Sequence, residues 1–233
     1  IHLFLNNEKP ILDTYFTGQL DATVLELLKP IANLGHSQYI LSTSVNNSLN
    51  SIEDLIQSQR SNTIGNLGRG SMGHLIQLSL EQYLQQPLVS VYYKGTSQAV
   101  QDLIGGHIDL YSIWEVDGIE FVRAGRLRPL AASGVIQGLE KPVRTFRELG
   151  LDMPRGTFFA IYTNPYIQPS DLDFVQKTLL EIFNTEYTTW MQTLLVTKPS
   201  GDPAVVSSWY SERMRYYQRL SKDPKYASMK ETD

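Results

Sequence analysis

A chain of 233 residues, 42% hydrophobic and 19% charged, buries a real core as one large domain or two small ones. Its net charge of −4 argues against nucleic acid or an anionic membrane as the main partner, and no apolar run approaches the length of a membrane span. Cysteine is absent, which removes disulfides, thiolate catalysis and Cys-based zinc sites and fits either redox compartment.

Residue 1 is an isoleucine inside a strand-like run, Ile1 to Leu5, where a natural start carries methionine. The chain therefore reads as processed or trimmed. That run is expected as a short buried strand, followed by a polar turn over Asn6 to Pro10. Pro30 breaks any helix carried by Ala22 to Leu28. Tyr39 to Ser44 is strand-like, and Asn50 or Ser51 caps a helix over Ile52 to Ser58.

The β-prone Asn62-Thr63-Ile64 leads into Gly65-Asn66-Leu67-Gly68-Arg69-Gly70-Ser71-Met72-Gly73-His74, and an amphipathic run continues to Leu84. Its Ile76, Leu80, Tyr83 and Leu84 recur at helical spacing. Strand, glycine-rich turn and helix aim free backbone N–H groups and the positive end of a helix dipole at one point. Such a point attracts a carboxylate or a phosphate. Four glycines in ten residues let the backbone turn tightly and approach a ligand. Ser71 offers a hydroxyl donor, Arg69 a charge and His74 a ring nitrogen. The same composition also suits a strand-to-helix turn that binds nothing. No Gly-Lys-Ser/Thr follows, so this is not a P-loop, and the glycine spacing is wrong for a dinucleotide fingerprint. A small-anion cradle is the functional reading left.

Pro87 ends that helix, and Leu88 to Tyr93 is a strand. Lys94-Gly95-Thr96 turns into a helix carrying Ala99, Val100, Leu103 and Ile104, with Thr96 as its cap and Gly105-Gly106 as its stop. A strand over His107 to Ile113, a helix over Asp117 to Ala124 and a strand over Leu127 to Ala132 follow. The alternation predicts an α/β domain with a largely parallel sheet, its ligand crevice beyond the carboxyl ends of the strands.

A short helix is expected near Thr145 to Leu149 and a strand over Thr157 to Tyr162. Ser170, with Asp173 three residues on, opens a helix to Phe183. A second helix covers Glu186 to Leu195. Asp202-Pro203 starts a third, with Val206, Trp209, Tyr210, Met214, Tyr217 and Leu220 along one face as core. From Ser221 the charged tail is expected to fray. The four histidines lack metal-ligand spacing, and there is no Gly-x-Ser-x-Gly elbow. Ser71 and His74 have no orienting acid. No catalysis, cofactor or metal site is expected.

Five stretches stand in an order that carries a resemblance. They are Gly68-Arg69-Gly70-Ser71-Met72-Gly73-His74, Tyr93-Lys94-Gly95 with Ala99, and Asp102-Leu103-Ile104-Gly105-Gly106-His107-Ile108-Asp109. Ala124-Gly125-Arg126-Leu127-Arg128-Pro129-Leu130-Ala131 and Phe146-Arg147-Glu148-Leu149-Gly150-Leu151 complete the set. Together they resemble the tripartite tricarboxylate transporter receptors, or Bug proteins, which are periplasmic solute-binding proteins. The resemblance covers nearly the whole chain and is most specific from about residue 52 to 151.

The resemblance implies an α/β, type II periplasmic-binding-protein fold whose two lobes close around a small organic acid, in the periplasm and without enzyme activity. The acid would pass to permease subunits in the membrane, with no direct membrane insertion by the receptor and no nucleic acid as partner. Tyr39 to Thr43 and Thr157 to Tyr162 would cross between lobes. Residues 1–38 and 157–233 would form one lobe, and 39–156, including the crossing segment 39–43, the other. The ligand would meet Gly68, Arg69, Gly70, Ser71, Met72, Gly73 and His74, with Lys94, Thr96, Trp114 and Glu115 around it.

Two departures accompany the match. Family members open on a strand and a Pro-Gly-Gly loop, and this chain starts after that unit. The first lobe is thus expected without its opening strand-helix-strand. After the strand ending near Ile113, members carry Phe-Asp-Asn-Leu-Pro, where this chain has Ser112-Ile113-Trp114-Glu115-Val116. A sensing or protein-interaction module that keeps the fold is the alternative reading.

Overall fold

The computed structural model describes residues 2–7, 9–136, 139–153, 156–185, 189 and 200–230, excepting the side chains of 227, 228 and 230. The chain divides into two compact units, Ile1–Ser37 with Thr157–Asp233, and Gln38–Gly156.

The first unit is built on a three-stranded antiparallel sheet of β1 (Leu3–Asn6), β8 (Thr157–Thr163) and β2 (Lys29–Ser37), with β8 in the middle. Successive side chains of a strand face opposite ways, and β8 uses both. Phe159 and Ile161 pack with Ile31, Ala32 and Leu34 against Val175, Leu179 and Phe183 of α7 (Pro169–Phe183). On the other face Phe158 meets Trp209 edge-on at 4.6 Å, and Tyr162 meets Tyr210 at 5.9 Å, both from α8 (Pro203–Leu220). The Asp202 carboxylate caps α8 by accepting from the amides of Ala204 and Val205. Of the stripe read on this helix, Val206, Tyr217 and Leu220 are buried, whereas Trp209, Tyr210 and Met214 are half-buried. Two short helical segments, α1 (Lys9–Leu12) and α2 (Thr23–Glu26), complete the opening stretch, a π-helical turn over Asp13–Thr17 extending the first.

Four expectations in this unit need correction. The opening strand is not buried: β1 is one of the two outer strands, paired along one edge with β8, and every one of its residues is exposed. Helix α1 starts at Lys9, so the polar turn read through Pro10 is shorter. Helix α7 opens at Pro169 after Gln168, with no side-chain cap, because proline is preorganised for the first helical position; Ser170 lies inside it. The tail does not fray from Ser221. Pro224–Lys230 forms a 3₁₀ helix, whose three-residue turn sets Tyr226 and Met229 on one face. Both are buried, and the Tyr226 ring lies edge-on to Phe16 at 5.5 Å. The helix expected over Glu186 to Leu195 falls outside the described residues, Thr189 apart.

The second unit holds a five-stranded sheet in the order β5 (Val89–Tyr92), β4 (Thr63–Asn66), β6 (Leu110–Trp114), β3 (Tyr39–Ser44), β7 (Leu127–Ala132). β4 runs parallel to both β5 and β6, and β3 runs antiparallel to both β6 and β7. Four strands therefore share one direction, with β3 the single reversed strand. All six β3 residues are buried. The joining helices are α3 (Ile52–Gln57), α4 (Met72–Leu84), α5 (Thr96–Gly105) and α6 (Glu115–Arg123). Ser51, rather than Asn50, caps α3 by accepting from the Asp54 amide. Ala99, Val100 and Leu103 of α5 pack with Ile40, Ile108, Tyr111, Ile113 and Leu127 in the core.

The short helix expected over Thr145 to Leu149 is a single turn. Thr145 Oγ1 accepts from the Glu148 amide while the Glu148 carboxylate accepts from the Thr145 amide. This reciprocal pair resembles a helix start, but Gly150 at φ 79° turns the chain left-handed before a second turn forms.

At the amino end of β6, the Asp109 carboxylate gathers four donors: Asn47 Nδ2 at 2.9 Å, Arg60 at 2.5 Å, and the Thr63 amide and hydroxyl at 2.9 and 3.0 Å. Thr43 Oγ1 donates to the Asp109 carbonyl at 2.7 Å. Burial pushes the Asp109 carboxyl up, but the hydrogen bonds from Thr63 and Asn47 and the charge of Arg60 outweigh it and hold it below the usual range.

Candidate functional site

Because β4, β5 and β6 are parallel neighbours, their carboxyl ends lie along one edge of the sheet. Asn66 stands opposite Tyr92, and Gly65 opposite Tyr111. The Tyr93 amide donates to the Asn66 carbonyl at 2.8 Å and carries the pairing past the ends of the strands. From that edge leave the glycine loop into α4, the Lys94-Gly95 turn into α5, and Trp114 directly into α6. Three helices thus begin along the same edge. Neither α5, preceded by Gly95, nor α6, preceded by Trp114, carries a side-chain cap. The eleven residues singled out from the sequence all lie on these turns and helix starts.

Gly68 at φ 114° and Gly70 at φ 73° take conformations that side-chain-bearing residues rarely adopt. The loop then closes on itself. The Ser71 amide donates to the Gly68 carbonyl at 3.3 Å, and the Gly70 amide donates to His74 Nδ1 at 3.3 Å. Ser71 Oγ accepts from the His74 amide at 3.3 Å and so caps α4. Its carbonyl takes the Leu75 amide. The first amides of a helix have no intrahelical acceptor, and here those of Met72 and Gly73 are the ones the cap leaves over. The Met72 side chain is buried, so Met72 presents only backbone to this edge.

His74 is buried, with its ring edge-on to Tyr92 at 6.3 Å. Accepting through Nδ1 places its proton on Nε2. Burial depresses its pKa below the ordinary histidine value, Glu81 pulling it up and Arg69 pushing it down. A group so depressed contributes stability that is complete above its unfolded value of about 6.5 and is lost as pH falls through the folded value. Burial likewise depresses His36, with Arg213 adding to the effect. We therefore expect the melting temperature to fall between about pH 7 and pH 5, and His74→Gln to flatten part of that slope. An unchanged slope in the variant would remove His74 from the account.

Arg69 and Lys94 are exposed. Thr96 is the first residue of α5 rather than its cap, a role that Gly95 fills. Burial pushes the pKa of the nearby Tyr111 hydroxyl up, and Thr96 offsets that shift only in part. Trp114 is half-buried, its ring 6.2 Å from that of Tyr39. Glu115 is half-buried too, its amide donating to the Gln38 carbonyl at 2.8 Å. An acid in this first turn suits the positive end of α6.

Sequence reasoning missed a polar network behind the loop. Asn66, Gln77, Glu81 and Ser90 are linked by side-chain hydrogen bonds, and Asn66 and Gln77 are buried. Its trace in the sequence is Gln77 next to the apolar stripe of α4, four residues before Glu81. A cleft of about 350 Å³, lined by Ser48, Leu49, Asp54, Gln57, Ser58 and Arg60 among others, lies by the opposite, amino end of β4. Among the described residues no group of His, Asp and Glu is arranged to hold a metal ion, and no helix is long and apolar enough to cross a membrane.

A mixed sheet with one reversed strand and three helix starts along its carboxyl edge is an α/β arrangement that matches structures of periplasmic binding proteins. The profile of the tripartite tricarboxylate transporter family receptors, TctC, matches residues 6–185, and the chain belongs to that family. Several solved structures share the fold. A TctC solute-binding protein from Polaromonas is 21% identical, with a TM-score of 0.73 over 94% of this chain and 76% of that one. MatC from Rhodopseudomonas palustris, with bound malate, is 15% identical, with a TM-score of 0.73 over 94% and 79%. A second R. palustris protein, with adipate, is 17% identical, with a TM-score of 0.73 over 98% and 77%. No curated protein sequence matches this one.

Proposed function

We propose that this receptor captures a small organic acid by a carboxylate at the carboxyl edge of β4, β5 and β6. The observation that carries the reading is the start of α4. There the loop spends its own amides on itself through His74 and Ser71 but leaves the N–H groups of Met72 and Gly73 at the positive end of a 13-residue helix. The Ser71 hydroxyl, accepting from His74, keeps its own proton to donate. Malate and adipate in two structures of this fold support a carboxylate as the bound group. Closure of one lobe on the other, delivery to a permease and a periplasmic setting are the finer parts of the proposal, and membership of the family supports them.

A thermal-shift panel of di- and tricarboxylates at millimolar concentration tests it. A ligand present at a hundred times its Kd stabilises by about 2.7 kcal/mol, so at least one acid is expected to raise the melting temperature by several degrees. No shift with any acid would overturn the proposal.

A further inference from the structure

The network behind the loop fixes the orientation of one group in front of it. The Glu81 carboxylate and the Leu88 carbonyl can only accept, and both take hydrogen bonds from Gln77 Nε2, at 2.9 and 3.2 Å. The Gln77 carboxamide is thereby set with Oε1 towards β4 and β5, where Ser90 Oγ donates at 2.8 Å and Asn66 Nδ2 donates as well. Asn66 is set in its turn, with Oδ1 on the other side. Asn66 is 0% exposed, and its Oδ1 has no donor among the described residues. That oxygen lies 3.0 Å from where a Cβ on Gly73 would stand; the other neighbour of that point within 4 Å is Ser71 Oγ, at 3.8 Å. A shielded acceptor thus faces the start of α4, beside two amide donors.

We infer that Asn66 makes the site selective for an acid bearing a hydroxyl next to its carboxylate, the hydroxyl donating to Asn66 Oδ1 while the amides of Met72 and Gly73 hold the carboxylate. The inference rests on the carboxylate reading above and adds to it the class of acid. A plain methylene there leaves the buried acceptor unpaired, and a second carboxylate oxygen sets acceptor against acceptor. An ammonium also donates, but it would meet the positive end of α4 and the nearby charge of Arg69. A hydroxyl is the donor that fits both. Sites built to bond a ligand hydroxyl reject the analogue lacking it far more strongly than apolar pockets reject an extra group.

Calorimetric titration of the full chain with malate, succinate and aspartate, and with 2-hydroxyglutarate, glutarate and glutamate, varies one substituent on two skeletons. On the skeleton that binds, the hydroxy acid is expected to be tighter than the plain acid by at least about tenfold, with the amino acid weakest. In Asn66→Leu the hydroxy acid drops to the affinity of the plain acid. In Gln77→Met, which keeps Asn66 but frees its orientation, the ratio falls in the same direction. Equal binding of hydroxy and plain acids, tightest binding of the amino acid, or an unchanged ratio in the variants overturns the role of Asn66 while the receptor reading stands. Failure of all six to bind while a plain acid of the thermal-shift panel binds overturns the role of Asn66 alone, and failure of every acid overturns both.

Discussion

Replacing Asp109 with alanine is expected to destabilise the second unit by roughly 3 kcal/mol, the largest loss we anticipate from a side chain outside the hydrophobic core. The carboxylate holds β6 to β4 through Thr63 and to the loop after β3 through Asn47. Removing it leaves the Thr63 amide and hydroxyl without their acceptor in a place water reaches poorly. The ion pair itself is the smaller part, because Arg60 is 52% exposed and its charge is screened. Asp109→Asn keeps the shape but offers one acceptor where two are needed, so an intermediate loss is expected. Urea unfolding measures both variants. The pH dependence gives an independent check. A carboxyl depressed on folding contributes stability above its unfolded value of about 3.9 and loses it as pH falls through the folded value. The alanine variant should therefore lose less stability than the parent on acidification below about pH 4. Equal slopes would mean that the hydrogen bonds to Asp109 do not set its ionisation.

The second large effect is expected at the binding edge. Gly73→Asp places a carboxylate at the second position of α4, on the ground proposed for the ligand. Binding of any acid that shifts the parent is expected to weaken by at least about a hundredfold, the cost of setting two like charges within a few ångströms of each other. Stability should change by no more than about 1 kcal/mol. An acidic residue in the first turn favours the helix, while its Cβ, 3.0 Å from Asn66 Oδ1, obliges that amide to give by a few tenths of an ångström. Titration and thermal unfolding of one preparation separate the two effects. Unaltered affinity in a folded variant would move the anion away from the start of α4.

The sequence was most legible where local rules and burial agree. In the second unit apolar runs for the buried strands and 3.6-residue stripes for the helices, many of them bounded by Gly, Pro or a capping side chain, mark the elements, and these appear within a few residues of their expected limits. The glycine loop was legible for the same reason, since only glycine is comfortable at the angles of Gly68 and Gly70. What could not be read is what depends on partners distant in sequence. Leu3, Phe4 and Leu5 are as apolar as a core strand, yet their exposure is decided by β8, whose residues lie more than 150 positions further on. Tyr226 sits in a charged stretch, and its burial depends on Phe16. The orientation of Asn66 required three further side chains to be in place, and no spacing rule relates residue 66 to residue 90. Thr96 shows the opposite error: the capping preference of its side chain placed the helix start one residue late, since Gly95 takes the cap position and Thr96 the first helical one.

The way the two units share the chain bears on synthesis. Residues 38–156 form one uninterrupted unit, whose strands find all their sheet partners within that segment and can pair as soon as it has left the ribosome. The other unit waits. Its central strand, β8, must join segments that lie on both sides of residues 38–156 in the chain, and Tyr226, which closes over Phe16, emerges later still. During that interval β1 and β2 have no partner strand, so a nascent chain stalled before residue 157 would carry one finished lobe and one open, aggregation-prone pair of edges.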